Sequence, residues 1–443
     1  MSPTSAPPTE STSRRSRVAL LIYAAVTLVV FVFTPSKVWS EPTIYNHFAL
    51  LAESWLEGRL DLLAPPPHQN DFAAYAGKHY VVFPPFPALL LLPFVAAKGS
   101  ASAVPDAGFF ALLAGVGPAV LFLALEKLRR LGHSLRSERE NIALALLFAF
   151  GSVYFFCSVM GTVWFAAHIV GVALAAFYLL FALGAERPFA SGVVLGLAFA
   201  TRAPIAYAAP LFLLEAIRAS APPDAPSPLR EPARYLRSLD APLLARRVAW
   251  FALPFAAIAG VLFVHNAVRF GAPFEFGYRY LTVPWRYRIE KWGLFSYHYF
   301  PRNLAVWFAS LPWFPKEGPA PFLVNYHGLA LWFTTPLYLT LLWPKRRPHV
   351  LLALWVAAVA AALPSLFYQN TGWVQFGQRF SNDYAVFLFA LIAVSGWSFR
   401  GPLLLLAVWS VLVNAFGAAT FPRPEYNHFY YLDPSQRILF EPD

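Results

Sequence analysis

The sequence predicts an all-α polytopic membrane protein with about eleven transmembrane helices. Hydrophobic residues fill 58% of the 443 positions and charged residues only 13%, which indicates lipid as the main solvent. The Lys and Arg residues form short clusters in every second gap between apolar runs. This alternation is the positive-inside pattern and assigns those gaps to the cytoplasm. It also accounts for the formal charge of +11 without a nucleic-acid partner.

The apolar runs place the spans within a single domain, 1–443. Residues 1–17 form a cytoplasmic tail with three arginines, followed by an uncleaved signal anchor. The cytoplasmic loop 219–247 is a Pro- and Arg-rich linker. The outer side receives the loops 35–106 and 267–326 and the C-terminal tail 420–443. The predicted spans are 18–34, 107–125, 141–157, 162–183, 190–201, 203–218, 248–266, 327–343, 349–367, 384–398 and 402–419.

The number of spans depends on two segments, 81–97 and 190–218. The run 81–97 contains four prolines, each of which lacks the helix hydrogen-bond donor that lipid cannot replace, so we expect it at the outer interface or re-entering. The run 190–218 is interrupted at Arg202 and Pro204. A single helix there would put the arginine-rich 219–247 outside, so we predict two short helices that meet at an outward turn around Arg202.

The first outer loop carries the most polar chemistry. An amphipathic juxtamembrane helix is predicted from about Pro42 to Gly58, with Ile44, Phe48, Leu51 and Trp55 on its apolar face, lying along the membrane surface. Glu41 stands at its entrance, directly after the first span. The passage DFAAYAGKHYVVFPPFPALLLLPF follows.

These features together resemble the GT-C superfamily of membrane glycosyltransferases. The resemblance rests on the first span, the acidic residue beyond it, the amphipathic helix ending in Gly, the GKHYVVFPPFPALL passage and the later GLAFATR turn. It is closest to the lipid A aminoarabinose transferases, the protein O-mannosyltransferases and the bacterial RgtA-like group. It covers about the first 220 residues in order and beyond them only the layout.

The resemblance implies a polyprenyl-phosphate-linked sugar as donor and an outer-loop carboxylate as catalytic base. The base role falls on Glu41, which would take a proton from the acceptor hydroxyl. The family usually has an Asp-Glu pair, whereas here Ser40 precedes Glu41. The substitutes for the role are Glu53, Asp61 and Asp71. The alternative is that Glu41 only caps the following helix.

The leaving lipid phosphate needs a cation at the outer rim of the membrane. The resemblance assigns this role to Arg202 in ATRAP, and Lys78 is expected to contribute. The alternatives are an interfacial snorkelling arginine and a solvated loop lysine.

The two later outer loops combine aromatic and polar side chains. The second, 267–326, suits either sugar rings or a membrane-interface belt. The third, YQNTGWVQFGQRFSNDY, resembles an Arg-aromatic passage of the superfamily, and the resemblance implies that Arg379 is a further donor-phosphate contact; an Arg379–Asp383 ion pair is the alternative. Tyr80, Trp373 and Gln375 are the predicted sugar or acceptor contacts.

Several other chemistries lack their residues. Cys157 is the single cysteine, so disulfides and thiolate zinc sites are excluded. His168 has no second ligand at metal spacing, and we expect it to pack in the core with a hydrogen bond. No sequence motif of a P-loop, zinc protease, serine hydrolase or dinucleotide site occurs in a usable context. No cofactor is assigned, and a divalent cation stays open.

The sequence therefore predicts a membrane glycosyltransferase that moves a sugar from a polyprenyl-phosphate donor to an extracytoplasmic acceptor, which would be a glycolipid, polysaccharide or protein. It would lie in the plasma (inner) membrane, in contact with membrane lipid, with the N-terminus cytoplasmic and the C-terminus outside. The rival hypotheses are a transporter or flippase of a lipid-linked saccharide, which needs a midplane site open to both sides, and a non-catalytic membrane scaffold.

Overall fold

The computed structural model describes residues 12–228, 230–283 and 285–431, so the outermost parts of both predicted tails lie outside the described residues. The described part is mainly helical. Its α-helices are α1 (Thr12–Phe33), α2 (Lys37–Ser40), α3 (His47–Leu56), α4 (Phe86–Lys98), α5 (Asp106–Leu112), α6 (Val116–Arg130), α7 (Glu138–Phe150), α8 (Tyr154–Ser158), α9 (Val163–Ala182), α10 (Pro188–Phe199), α11 (Pro210–Ala219), α12 (Pro232–Ser238), α13 (Ala241–Phe270), α14 (Arg286–Trp292), α15 (Phe300–Phe308), α16 (Leu331–Thr334), α17 (Val350–Phe367), α18 (Ala385–Val394) and α19 (Pro402–Thr420).

Short 3-10 helices and strands complete the secondary structure. The 3-10 helices are Ala101–Ala103, Leu183–Ala185, Ala203–Ala208, Tyr278–Tyr280, Tyr297–Tyr299, Pro336–Leu342, Arg379–Asp383 and Pro424–Phe429. The antiparallel hairpin β1 (Phe72–Tyr75) and β2 (Lys78–Val81) lies in the first loop. The parallel pair β3 (Val324–Asn325) and β4 (Tyr430–Tyr431) joins the third quarter of the chain to its end.

Every predicted span contains helix, but the count of eleven crossings stays a prediction. In the described residues, six helices are long and apolar enough to cross a membrane: Ser13–Phe33, Asp106–Arg130, Val163–Ala185, Ala241–Phe270, Val350–Phe367 and Pro402–Thr420. Phe86–Lys98, Pro188–Phe199 and Ala385–Val394 are apolar but shorter. The prediction of one helix over 327–343 is wrong. Pro336 cannot donate to a helix that begins at Leu331, and the chain continues as a 3-10 helix instead.

The predicted juxtamembrane helix begins later than expected. It starts at His47 rather than near Pro42, because Thr43 donates from its backbone N–H and its hydroxyl to the buried Asp106 carboxylate and holds the preceding segment out of helical geometry. Ile44 therefore lies before the helix and is exposed, while Phe48 and Leu51 are buried. The helix packs on α4 (Phe86–Lys98).

The chain reverses at Arg202, as predicted. Helix α10 ends at Phe199, a 3-10 helix covers Ala203–Ala208, and α11 returns. The Gly184 N–H, just before α10, donates to the Glu215 carboxylate near the end of α11 at 2.7 Å. Residue 215 has thus come back to the level of residue 184, which identifies the segment as a hairpin.

The basic loops meet at one end of the helix bundle, which we call the basic end. Lys127 bonds to Glu186 at 2.9 Å, and Arg136 donates to the Ile392 and Trp397 carbonyls. Arg346 donates its N–H to the Ser395 carbonyl. These contacts join three gaps, which the alternation of charges places on one side of a membrane, to the end of the predicted span 384–398, so they support that common side.

Helix α9 lies in the middle of the bundle and is buried along most of its length. It packs against α6, α8, α10 and the 3-10 helix Arg379–Asp383. Lys127 of the basic end donates to the Leu180 carbonyl near its C-terminus. Trp164 is sixteen residues earlier, and at 1.5 Å per residue it is about 24 Å from the basic end. The N-terminal turns of α9 thus lie at the opposite end of the bundle.

Candidate functional site

Four buried or half-buried charged and polar groups gather at the first two turns of α9. Trp164, Phe165 and His168 lie on these turns, and Gly171 follows one turn deeper. A Cβ added at Gly171 would lie 2.9 Å from the Arg202 side chain, so the glycine allows that arginine to pass close to the helix. We call the group formed by Asp71, Arg202, Arg379 and Asp383 around these turns the site cluster.

Asp71 enters the cluster from the first loop, directly before strand β1. It has a positive φ of 59°, which Asp tolerates better than most residues. The Trp164 indole donates to its Oδ2 at 2.7 Å. Burial raises the pKa of the Asp71 carboxyl, while the Trp164 hydrogen bond and the charge of Arg379 oppose that rise. Asp71 is therefore a carboxylate with a raised pKa within electrostatic range of a guanidinium group.

Arg202 and Asp383 form a bidentate ion pair. The Arg202 Nε and Nη2 donate to the two Asp383 oxygens at 2.9 and 2.5 Å, and the Asp383 side chain is 2% exposed. The alternative of an Arg379–Asp383 pair is therefore wrong, and so is the snorkelling interpretation of Arg202. The expected hydrogen bond of His168 is also wrong for the described atoms: its Nδ1 lies 3.7 Å from Asp383 Oδ1.

Arg379 is buried without a carboxylate partner among the described residues. Its side chain is 6% exposed, and its Nε has no hydrogen-bond partner there. The guanidinium lies over the rings of Phe165 and Phe380, with 5.3 and 5.5 Å to the ring centroids. Burial, together with the neighbouring charge of Arg202, lowers the pKa of Arg379 to about 10. A buried cation of this kind is costly unless an anion joins it.

Tyr278 and Tyr368 complete the surroundings of the cluster. Each lies within electrostatic range of Asp71 and Arg202, and burial raises the pKa of both hydroxyls. Sequence reasoning did not single out these tyrosines or Trp164. The chain has 20 Tyr and 14 Trp, and nothing in the local pattern separates these three from the aromatic residues of a membrane-interface belt.

The other candidate carboxylates have different surroundings. Glu41 is exposed and ends the short helix α2, so the described contacts do not connect it to the arginines. Glu53 accepts the Ala101 N–H at 3.0 Å. Asp61 pairs with Arg59 at 2.6 Å and with Lys78 at 3.4 Å. Of the four, Asp71 is the carboxylate whose described contacts place it in the site cluster.

The remaining candidates divide between two places. The Lys78 side chain is 55% exposed beside Asp61, and Tyr80 is buried against Phe270. Gln375 is fully buried and holds the third loop together, because its amide donates to the His327 and Thr371 carbonyls and accepts the Arg379 N–H. Trp373 lines a cavity beside that loop.

A divalent cation would need several oxygen ligands in one place. Within the described ranges, no group of three or more His, Cys, Asp or Glu side chains converges. Asp71 and Asp383 are each engaged, with Trp164 and Arg202. These residues therefore do not fit a cation site.

Comparison with known proteins gives structural likenesses. No family model and no curated protein sequence matches the chain. Over 94% of this chain and 56% of the other, it is similar to the archaeal oligosaccharyltransferase AglB from Archaeoglobus fulgidus in complex with an inhibitory peptide and a dolichol-phosphate, with 14% identity and a TM-score of 0.45.

A second likeness is to ArnT from Cupriavidus metallidurans bound to undecaprenyl phosphate, with 15% identity and a TM-score of 0.43 over 86% of this chain and 60% of that one. The chain thus spans less than two thirds of either matched chain.

Proposed function

We propose that the chain is a membrane glycosyltransferase that transfers a sugar from a polyprenyl-phosphate donor to an extracytoplasmic acceptor. The observation that carries the proposal is the buried Arg379 guanidinium, which has no carboxylate partner among the described residues. A phosphate group would supply the negative charge and the acceptor oxygens that the N–H donors of this guanidinium need. The apolar helices around the cluster would contact the polyprenyl chain of the donor.

Asp71 is the proposed catalytic base. The acceptor hydroxyl would attack the anomeric carbon of the donor sugar while Asp71 takes its proton, and the bond from that carbon to the phosphate oxygen would break. The electron pair of that bond stays on the lipid phosphate, where Arg379 stabilises the negative charge. The Trp164 indole holds the carboxylate in place. Glu41, which the family resemblance favours, is the competing base.

Arg202 is proposed to position the site. The Asp383 carboxylate neutralises the Arg202 charge and holds the guanidinium in place. The guanidinium carbon lies 5.2 Å from the centroid of the Phe380 ring. Arg379 faces the same ring at 5.5 Å. Two guanidinium groups thus share one aromatic neighbour, and the Asp383 pair keeps the first of them from repelling the second.

The proposed location is the plasma membrane, with the basic end in the cytoplasm and the site cluster at the outer surface. The contacts that join the basic loops at one end support a common side for them. A transporter of lipid-linked saccharide would need its polar site midway and open to both sides, whereas the site cluster lies about 24 Å from the basic end.

The test uses the purified full chain in liposomes with a panel of radiolabelled polyprenyl-phosphate sugars and membrane extract as the source of acceptor. We expect label to move from one of the donors to an acceptor, and free polyprenyl phosphate to appear in equal amount. Movement of intact donor across the bilayer without cleavage would support the transporter instead. Donor that stays intact and in place would contradict both.

A further inference from the structure

Helix α3 begins with His47, whose imidazole is fully buried in the first outer loop. The contact of Thr43 with Asp106 sets this position, because it delays the start of the helix to residue 47. Burial lowers the pKa of His47 to about 4, so the imidazole is neutral at neutral pH. A neutral imidazole has one N–H donor and one acceptor nitrogen. The partner of that single donor therefore decides what the side chain holds in place.

The His47 imidazole binds the backbone directly before Asp71. Its Nε2 lies 3.0 Å from the Asn70 carbonyl oxygen. A carbonyl oxygen only accepts hydrogen bonds, so the imidazole carries its proton on Nε2 and donates it. The Asn70 carbonyl belongs to the peptide group that joins Asn70 to Asp71. The hydrogen bond thus fixes the peptide plane from which the Asp71 side chain is oriented.

The same imidazole packs on the residue directly after Asp71. The rings of His47 and Phe72 are stacked, with 4.0 Å between centroids and 7° between planes. Phe72 is 1% exposed, and its carbonyl accepts the Thr282 backbone N–H at 3.3 Å. His47 therefore holds both neighbours of Asp71, one by a hydrogen bond and the other by ring packing.

Asp71 depends on such contacts because of its backbone conformation. Its φ of 59° lies in the left-handed region, which residues other than glycine rarely occupy and keep only where the surrounding structure holds them. In this conformation Asp71 Oδ2 accepts the Trp164 indole N–H at 2.7 Å. The centroid of the Trp164 ring is 6.1 Å from that of the His47 ring. Loss of the His47 contacts would release the conformation and, with it, the hydrogen bond from Trp164.

His68 supports the same loop from its own backbone. Its Nδ1 accepts the Asn70 N–H at 3.1 Å, and its Nε2 donates to the Ile44 carbonyl at 2.8 Å. Both ring nitrogens are engaged in this way, so His68 ties the segment before Asp71 to the segment before α3. The turn that carries Asp71 is thus attached to the start of α3 by two histidines.

We propose that His47 is a positioning residue for Asp71, the proposed catalytic base. His47 donates to the peptide group before Asp71 and packs on Phe72 after it, and so holds the Asp71 carboxylate against the Trp164 indole. The role in catalysis rests on the proposed function, because it assigns His47 to the base of the transfer reaction. The position of the carboxylate itself is measurable without turnover.

The pKa of the Asp71 carboxyl reports this position. The Trp164 hydrogen bond lowers that pKa, so loss of the bond raises it. His47 is neutral at neutral pH, and neutral substitutes leave the charge around Asp71 unchanged, so they act on this pKa through the position of the carboxylate. The other groups within electrostatic range of Asp71 are His68 in the same loop, Tyr278 of the second outer loop, and Tyr368 and Arg379 of the third.

The test replaces the imidazole by two amides of different length. In His47→Gln the amide nitrogen reaches about as far as Nε2 and donates to the Asn70 carbonyl, whereas His47→Asn is one methylene shorter and falls short. Infrared spectra of the purified full chain follow the C=O stretch of the protonated Asp71 carboxyl across pH, and Asp71→Asn identifies the band. We expect His47→Asn to raise the pKa of Asp71 by about one unit and His47→Gln to leave it within about 0.3 units of wild type.

Turnover gives a second measurement. His47→Asn should lower kcat for transfer by about 10–100-fold, because the base is misplaced, while the KM of the donor stays near wild type. The acid limb of kcat should move to higher pH together with the pKa of Asp71. His47→Gln should recover most of the lost kcat.

Phe48→Leu is the matched structural control. Phe48 follows His47 on α3 and is 2% exposed, and its ring packs on Phe83 and Phe110. The substitution should lower the unfolding temperature without moving the pKa of Asp71. Should His47→Asn fail to fold, His47→Phe takes its place, because phenylalanine keeps the stacking on Phe72 and lacks the N–H.

The outcomes separate the positioning role from the proposed function. A pKa of Asp71 that stays unchanged in the variant without the N–H, or that rises as much in His47→Gln or Phe48→Leu, would overturn the positioning role even if the wild-type protein consumes donor. A rise confined to the variant without the N–H, in a protein that consumes no donor from the panel, would support the positioning of Asp71 and overturn the proposed function.

Discussion

The two ends of the helix bundle handle buried charge in opposite ways. At the basic end, acids and bases that are neighbours in sequence pair with each other, as Arg129 does with Glu126 at 2.6 Å and Arg218 with Glu215 at 2.9 Å. At the opposite end, Arg202 and Asp383 pair across 181 residues, and Arg379 is buried beside them without a carboxylate in the described chain.

The two ends differ in whether their charged groups are paired within the protein. Pairs at i and i+3 on one helix form with the helix and need nothing from outside the protein. A buried cation without a carboxylate raises the free energy of the folded chain until an anion binds. These basic-end pairs are therefore satisfied within the protein, whereas we propose that the site cluster binds an anionic ligand. Four substitutions test this difference between the two ends.

The largest effect is expected from Asp71→Asn. The amide keeps the shape and the Trp164 contact but cannot accept the proton, so turnover should fall by about 10²–10⁴-fold with donor binding retained. Because burial raises the pKa of Asp71 and the base acts only when deprotonated, wild-type turnover should decline with falling pH at a higher pH than for an ordinary aspartate. Initial rates across pH measure both.

The controls for this prediction are the other candidate bases. Asp61→Asn changes a carboxylate that already pairs with Arg59 and Lys78, and Glu41→Gln changes an exposed one. Both should keep near wild-type turnover. Loss of transfer in Glu41→Gln, together with an active Asp71→Asn enzyme, would move the base to the residue that the family resemblance favours.

The second prediction concerns stability. Asp383→Asn leaves the Arg202 guanidinium without its partner, and breaking a buried pair in this way costs about 3–5 kcal/mol. Glu215→Gln at the basic end should cost clearly less, because Arg218 is 35% exposed and water can replace its partner. Thermal unfolding in one detergent compares the two. Equal losses would show that the two ends do not differ.

The sequence predicts more of the fold than of the site. Apolar length places helix in each predicted span, and prolines with charge alternation identify the hairpin at Arg202. The exceptions are local: Pro336 divides the span 327–343, residues 151–153 divide the span 141–157, and the contact of Thr43 with Asp106 delays the juxtamembrane helix. Such a tertiary contact has no signature in the neighbouring residues.

The site cluster shows where sequence reasoning stops. Asp71, Arg202 and Arg379 are each recognisable as polar residues between apolar runs, but their partners are not. The proposed Arg379–Asp383 pair assumes i,i+4 spacing on an α-helix, whereas Arg379–Asp383 is a 3-10 helix with three residues per turn, which separates those side chains. The true partner of Asp383 is 181 positions away, beyond any local pattern.

The third prediction separates binding from folding. Arg379→Gln removes a buried charge that lacks a carboxylate partner, so the unfolding temperature should stay level or rise, while donor affinity falls about 10–100-fold. Since the charge of Arg379 lowers the pKa of Asp71, its loss should also move the acid limb of residual activity to higher pH. Lys78→Gln is the control: Lys78 is 55% exposed beside Asp61, so both properties should stay unchanged. A marked loss of stability in Arg379→Gln would mean that the guanidinium supports the fold rather than a ligand.

The smallest effect on stability is expected at an exposed ion pair in the loop 219–247. Glu231 and Arg234 are 2.5 Å apart, with 44% and 76% of their side chains exposed. Exposed i,i+3 pairs contribute at most about 1 kcal/mol, because water solvates both groups and salt screens their attraction. Glu231→Gln should therefore change the unfolding free energy by less than about 1 kcal/mol, and the remaining difference should shrink when the salt concentration is raised. A loss as large as that of Asp383→Asn would mean that an exposed ion pair of the basic loops stabilises the fold as much as the buried pair of the site cluster does. The proposed difference between the two ends would then be wrong.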